Sequence, residues 1–460
     1  MEKIFPKELT ETLKSLEILS TSFDPVTFGN LIDNLIQMPY CSEYSEIKKR
    51  VEALLVREIK RMAEPANSEK VIQIFAAEEM ELLSRIGSDE MTLAIIPQNT
   101  STKVAIFKGT GLLLKEDIPL AVQQNTDADF RVNQIRTFLG NHRISLEMVS
   151  GIAVKGGYLQ PAEGGTFLVD EEMIKDTHNS TIEHPSNLGI IIGERLKSRK
   201  GEILLTTTDP ISTDEMADPE RILGVSGYFR KGSGAHYLNH RSIAKLLCGI
   251  TGRRYDESIF ITTHAGGGIS TARHQSGRIT SVLNAFSDMP GSSRAGNIPI
   301  EVVLEEIKGG RISLEELKRL IYSEGGLLNL AGTNDFKTLL HFRDMGSSDI
   351  QRQKINLILN FFTRAIAKSI MAVSGERGLP FVIAVSGGLS RSDEIMRLIY
   401  EMINLNVPLI PFGETFDLEL LATENMLSRI RPERLKDYSK EKLIHSRKIA
   451  GIKRTIRKND

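Results

Sequence analysis

One order of elements is written twice in this chain, and few folds accept it. In the first half, residues 92–96 read as a strand, 97–103 as a polar turn, 104–108 as a second strand and 112–120 as a third. A polar helix over 127–139, a strand over 148–154, a helix over 187–197 and a strand over 202–208 follow. The second half repeats the series. Three strands at 259–263, 269–273 and 278–282 lead through helices at 299–308 and 313–323 to a long helix at 349–374. A buried strand at 381–386, a helix at 391–402, a strand at 407–412 and a helix at 417–429 complete it. β-branched runs and the change of period between 2 and 3.6 carry these assignments. A duplicated order predicts two similar α/β lobes. A cleft between such lobes is a natural nucleotide site.

The sharpest local signal opens the second half. A strand ends at His264, and Gly266, Gly267 and Gly268 turn the chain into the next strand. Three adjacent glycines cost backbone entropy. They make sense where amide groups must approach something closely, and a phosphate is the usual ligand. Read alone, the same residues are an ordinary hairpin turn after a structural histidine.

At 460 residues the chain is too long for one core, so two or three domains are expected. The net charge of −1 gives no reason to expect a nucleic-acid or membrane partner. Cys41 and Cys248 form no disulfide framework or metal-ligand spacing. The N-terminus lacks a signal-peptide core, and no run of about 18 apolar residues stands out. A cytoplasmic protein is the expectation.

Residues 1–90 read as a helical module. Leu13, Leu16, Leu19, Phe28, Leu31 and Leu35 recur at helical spacing, residues 46–62 are strongly amphipathic, and 68–86 form a further helix. Residues 429–460 hold twelve Lys/Arg against four Asp/Glu, which reads as a solvated, partly frayed helix or an anion-binding arm.

Several collinear stretches carry a family resemblance. They are Asn99-Thr-Ser-Thr-Lys103, Glu163-Gly-Gly-Thr166, His184-Pro-Ser-Asn-Leu-Gly189, Asp209-Pro210 with Asp214-Glu-Met216, His236-Tyr-Leu-Asn239, His264-Ala-Gly-Gly-Gly-Ile-Ser270, Gly332-Thr-Asn-Asp335 and Ser386-Gly-Gly-Leu389. In this order, from about Met91 to Leu427, the chain resembles a butyrate kinase of the acetokinase family, within the superfamily of acetate and sugar kinases, heat-shock protein 70 and actin. The resemblance implies two duplicated ribonuclease-H-like lobes. The first spans 91–212 and is completed by the helix near 417–430; the second spans 213–416. Residues 1–90 and the basic tail 431–460 lie outside it.

The family moves the γ-phosphoryl group of ATP to a short carboxylic acid, with Mg2+ carried by the nucleotide. A carboxylate must then attack an anionic phosphorus, so cations and oriented donors supply the rate. By resemblance, Arg294 stabilises the transferring group, His236 is a second donor, and Asp209 orients Arg294 or the metal-bound water. His264 and Gly266 to Gly268 hold the ATP phosphates. Asp335, Lys337, Gly387 and Gly388 line the adenosine side, and Ser101 and Lys103 sit by the other phosphate turn. His240 faces the same way as His236. Relatives often dimerise, so a homo-oligomer is compatible with the resemblance.

Three positions depart from the family. Ile96 stands where the family has an asparagine near the metal and phosphate, Gln98 stands for a glycine, and Lys155 stands for the arginine that meets the substrate carboxylate. Lysine keeps the charge and loses the bidentate fork. Loss of one transition-state donor costs ~2.7–4 kcal/mol, so these changes are enough to slow turnover or abolish it. Three readings stay open on the sequence. One is a short-chain carboxylate kinase with an altered pocket. The second is a degenerate acyl kinase that binds nucleotide, or nothing, as a scaffold or regulatory protein. The third is a sugar or glycerol kinase with Asp209 as base.

Overall fold

The computed structural model describes residues 6–38, 42–120, 126–197, 203–230, 232–346, 348–375 and 378–456. Cys41, Glu202 and the end of the basic tail lie outside the described residues. The chain forms two compact units. One comprises residues 1–60 and 247–415, the other residues 61–246 and 416–460. The N-terminal helices are therefore shared between the units, the division at 60/61 falling inside the helical module expected over residues 1–90.

The second unit is built on a six-stranded sheet. Its strands are β1 (Met91–Pro97), β2 (Ser101–Lys108), β3 (Gly111–Pro119), β4 (Val149–Val154), β5 (Thr166–Leu168) and β6 (Leu204–Thr208). The order is β3-β2-β1-β4-β6-β5. The β1–β2 and β2–β3 pairs are antiparallel, whereas β4 lies parallel to β1 and β6 parallel to β4. β1 is buried along its whole length, as a strand covered on both faces must be. At the edge, β3 is largely exposed and carries Lys115, Glu116 and Asp117, charges that discourage pairing with another chain.

The first unit repeats this plan. β7 (Phe260–Ala265), β8 (Ile269–Gln275), β9 (Arg278–Asn284), β10 (Val382–Ser386) and β11 (Leu409–Phe412) take the order β11-β10-β7-β8-β9. β7, β8 and β9 form an antiparallel meander, while β10 and β11 continue it in parallel. Strand for strand, β9-β8-β7-β10-β11 matches β3-β2-β1-β4-β6, so the duplication read from the sequence is a duplication of sheet topology.

The helices are α1 (Pro6–Thr21), α2 (Pro25–Gln37), α3 (Ser42–Ala63), α4 (Ser68–Phe75), α5 (Met80–Leu83), α6 (Ala128–Asn141), α7 (Glu171–His178), α8 (Asn187–Leu196) and α9 (Tyr237–Thr251). In the second half come α10 (Ile300–Lys308), α11 (Leu314–Arg319), α12 (Gly326–Ala331), α13 (Phe336–Asp344), α14 (Asp349–Ser374), α15 (Asp393–Met402), α16 (Asp417–Ile430) and α17 (Tyr438–Ile456). The single helix expected over 68–86 is two, α4 and α5. Ala77, Glu78 and Glu79 are good helix formers, so packing overrides propensity here: both helices lie against α16. A capping box of Ser313 and Glu316 starts α11, and the helix expected to residue 323 relaxes into a π turn at Leu320–Glu324.

α14 is the one described helix long and apolar enough to cross a membrane by composition. Its buried face, including Ile355, Leu359, Phe362, Ile366 and Ile370, packs into the core of the first unit with Ile261, Ile383 and Val385. In the second unit α16 is buried along nearly all its length. Asn425 bolts it to the parallel strands, its amide donating to Ile152 O, Leu204 O and Thr206 Oγ1 at 3.3, 3.1 and 2.9 Å.

Candidate active site

In open α/β sheets, ligands gather beyond the carboxyl ends of parallel strands. In the second unit those ends carry Ile96 and Pro97 on β1, Lys155 after β4 and Asp209 after β6. β2 begins at Ser101, three residues before the expected strand, which puts Ser101 and Lys103 in the sheet rather than in the turn. Lys103 is in register with Ile96 on one side of β1. Lys155 extends the ladder on the other side, its amide donating to Ile95 O at 3.0 Å. Lys103 and Lys155 therefore flank the isoleucine across the sheet. Burial lowers the pKa of Lys155, Lys103 lowers it further, and Asp417 at the start of α16 opposes both. Asp417 is itself fixed by α9, accepting from Asn239 Nδ2 at 3.1 Å and Ser242 Oγ at 2.9 Å.

Asp209 has φ 44°, a left-handed conformation that costs a non-glycine residue energy and is often kept where function needs it. Its carboxylate is almost wholly buried. Oδ1 accepts from Gly165 N at 2.9 Å, and Oδ2 accepts from Arg241 Nε at 2.5 Å. Arg241 in turn donates from Nη2 to Glu215 Oε1 at 2.8 Å. A side chain at Gly164 is excluded, since its Cβ would lie 2.5 Å from Glu215 Oε1, 2.6 Å from Arg241 Nη2 and 2.7 Å from Asp209 Oδ1. The glycine pair read at 164 and 165 thus serves this ion network. His236 precedes α9, with its ring centroid 6.4 Å from that of His240. His236 is partly exposed and His240 is buried, which suits a structural role for the second.

The C-terminal segment is docked on the same region. Lys436 donates from its backbone to Thr166 O at 2.8 Å and from Nζ to Gly164 O at 2.6 Å. On α17, the Tyr438 hydroxyl donates to Asp176 Oδ2 at 2.7 Å and accepts from Gln160 N at 2.9 Å. His445 Nε2 lies 2.9 Å from Asp214 Oδ2, which also takes a hydrogen bond from Arg221. Burial alone raises the pKa of Asp214, but these partners outweigh it and hold the carboxyl below its usual range. Much of the tail's positive charge is thus matched by carboxylates of this unit, Lys442 to Glu172 and Lys448 to Asp218 included. This differs from the frayed helix or anion-binding arm expected from composition.

In the first unit the ends of β7 and β10 bring His264, Gly266 to Gly268, Gly387 and Gly388 together. His264 pairs with Ser386 across the sheet, and Ser386 Oγ is 3.4 Å from His264 Nδ1. Gly387 has φ 88°, and a Cβ there would fall 2.5 Å from Ala265 O. Only glycine lets the two turns approach this closely. The loop of Arg294 is tied to the same place, with Ser292 Oγ donating to Gly267 O and Gly291 N to Arg294 O. The Arg294 guanidinium lies 4.1 Å from the centroid of the Phe286 ring. Asp335 caps α13, accepting from Lys337 N and Thr338 N, and both Asp335 and Lys337 are exposed. Phe336 between them packs in the core that includes Ala265 and Leu389.

Arg241, Glu215, Asp417 and Arg131, which anchors the 97–101 turn, received no role from the sequence. Asp214-Glu-Met216 was a recognisable string, but its partners lie far along the chain. Among the described residues no three His, Cys, Asp or Glu side chains stand together as a metal-binding group.

A profile of the acetokinase family matches residues 223–405. The chain is 32% identical over 339 residues to "Probable butyrate kinase 2" of Caldanaerobacter subterraneus subsp. tengcongensis, covering 72% of this chain and 94% of that protein. It is 30% identical over 370 residues to "Probable butyrate kinase" of Enterococcus faecalis, covering 77% of this chain and 99% of that one. Among solved structures, an acetate kinase from Porphyromonas gingivalis matches with TM-score 0.57 at 16% identity, over 74% of this chain and 99% of that one. A propionate kinase from Francisella tularensis matches with TM-score 0.58 at 16% identity, over 73% and 98%. These two show a shared fold, and the curated relatives show the family. The chain belongs to the acetokinase family, among its butyrate kinases, and is a phosphotransferase with a carboxyl group as acceptor.

Proposed function

We propose that the protein is an ATP-dependent kinase of short-chain carboxylic acids, with butyrate or a near relative as acceptor and an acyl phosphate as product. The observation that carries this reading is the placement of Lys103 and Lys155 on either side of the carboxyl end of β1, the first in register with Ile96 and the second bonded to Ile95 O. Such a pair favours an anion, and a carboxylate that is already ionised needs no general base.

In this reading Lys155 meets the acid's carboxylate as a point charge, so it fixes charge more than orientation. Ser101 and Lys103 serve the phosphate turn beside it. The amides of Gly266, Gly267 and Gly268, with His264, take the ATP phosphates. Gly387 and Gly388 lie along the nucleoside, with Asp335 and Lys337 at its outer side. Arg294 offers its planar fork to the phosphoryl oxygens, and His236 donates a further hydrogen bond. Asp209, locked by Arg241, keeps acceptor capacity for a water on the metal. Mg2+ arrives with the nucleotide and neutralises phosphate charge. Scattered carboxylates suit an ion held mainly by phosphate oxygens and water.

The test is acid-dependent ADP release over a panel of linear and branched short acids, with glycerol and hexoses alongside. Turnover with acids alone supports the reading. A preference for any hydroxyl acceptor over every acid overturns it.

A further inference from the structure

The turn between β1 and β2 is held from beneath by one buried cation. Arg131 lies in the first turn of α6 and is 0% exposed. Its Nη2 donates to Gln98 O at 2.8 Å, and its Nη1 donates to Ser101 O at 3.0 Å and to Thr102 Oγ1 at 2.8 Å. Gln98 N closes the turn onto Ser101 O at 2.8 Å, and Ser101 Oγ donates to Gln98 Oε1 at 3.2 Å.

The placement breaks two local rules. A cation near a helix N-terminus opposes the helix dipole, and a buried guanidinium carries a large desolvation cost. Burial pushes the Arg131 pKa down to about 10, which still leaves it charged at neutral pH. Local rules broken together in a well-packed region point to function.

What the arginine does to the turn is legible from its partners. The carbonyls of Gln98 and Ser101 repel anions, and both are drawn inward onto the guanidinium. Asn99 and Thr100, at the tip, are exposed, and no group in the described structure accepts from their amides. A turn with its carbonyls tied back, amides outward and a fixed positive charge beneath is arranged for an anion.

We propose that Arg131 is the positioning residue of the 97–101 turn, holding its carbonyls away from bound phosphate so that the amides of Asn99 and Thr100 face the anion. The proposal rests on the reading of this turn as a phosphate site. Gln98 meets Arg131 through its backbone carbonyl while its side chain accepts from Ser101 Oγ, so a side chain there is compatible with the arrangement.

The experiment uses the full chain. Calorimetric titration with tripolyphosphate and with MgADP compares the wild type with Arg131→Lys and Arg131→Ala, and KM is measured separately for ATP and for the acid. Lysine keeps the charge but cannot span three acceptors, so Arg131→Lys is expected to weaken both phosphate ligands about 10-fold or more, with the acid KM within about twofold. Guanidinium added to Arg131→Ala is expected to restore affinity. Arg273→Lys is the matched control. That arginine is equally buried and donates to Val373 O and Gly378 O in the other unit. It is expected to lower stability and leave phosphate affinity unchanged.

A wild type that binds neither phosphate ligand overturns the proposal. So does an Arg131→Lys protein that loses stability as Arg273→Lys does while keeping its phosphate affinity. If Arg131→Ala does not fold, the comparison of Arg131→Lys with Arg273→Lys decides. Phosphate binding that depends on Arg131, without turnover on any acid, sustains this inference and refutes the kinase reading instead.

Discussion

Replacing Arg241 by methionine tests the ion network that holds Asp209. The guanidinium is 11% exposed, with partner carboxylates 1% and 5% exposed. Its loss leaves two carboxylates of like charge buried around Gly164. Breaking a buried pair costs ~3–5 kcal/mol, against ~0–1 kcal/mol for an exposed pair. For a unit of this size about 1 kcal/mol moves the melting midpoint by roughly 2–4 °C. The unit containing Asp209 is therefore expected to melt roughly 6–20 °C lower at pH 7.

Adding Glu215→Gln removes one stranded charge and is expected to recover part of the loss. Turnover is expected to fall about 10²-fold, as for loss of one transition-state group. Thermal melts at pH 7, with initial rates, make the measurement. A drop below about 2 °C, the behaviour of a surface pair, would refute the reasoning.

Lys155→Arg is expected to extend the alkaline limb of the pH–rate profile upward, because a guanidinium stays charged where this depressed ammonium loses its proton; a limb that does not move counts against Lys155 meeting the acid. Glu52 accepts from Leu409 N at 2.8 Å, and burial raises its pKa to about 7. Its contribution is therefore full below the unfolded value of about 4.5 and is lost as pH rises through about 7, on the order of 3 kcal/mol. Glu52→Gln is expected to flatten that slope in melts of the first unit. His445→Ala removes one of the two side-chain partners of buried Asp214 and is expected to cost about 1–3 kcal/mol. Circular dichroism melts check it, and His445→Gln, which can still donate, is expected to lose less.

What the sequence discloses follows from the range of the interaction. β1, β7 and β10 are runs of apolar and β-branched residues bounded by turns, and their assignment needs only neighbours. α7 escapes because it is eight residues long with Met173 and Thr177 as its buried positions, too few to show a period. Ser101 and Lys103 read as turn because serine, threonine and lysine are polar, although pairing with Pro119 and Asp117 places them in β2. At the site, the glycine turns were legible since close backbone approach selects one residue type. The partners of Asp209 were not, because Arg241 lies 32 residues away and nothing in a linear pattern couples them. Asp209 itself was found by resemblance, and its positive φ belongs to the folded chain alone. The basic tail misled because composition records charge but not the carboxylates that meet it.

The central claim is that this chain moves a phosphoryl group onto the carboxyl of a small acid. Trapping the product with hydroxylamine tests it most directly, using ATP, Mg2+ and butyrate with wild type beside Arg294→Ala. The account predicts acyl hydroxamate from the wild type in step with ADP, falling by about 10²-fold or more in the variant. Hydroxamate at the level of the Arg294→Ala control, across the whole panel of short acids, would contradict it.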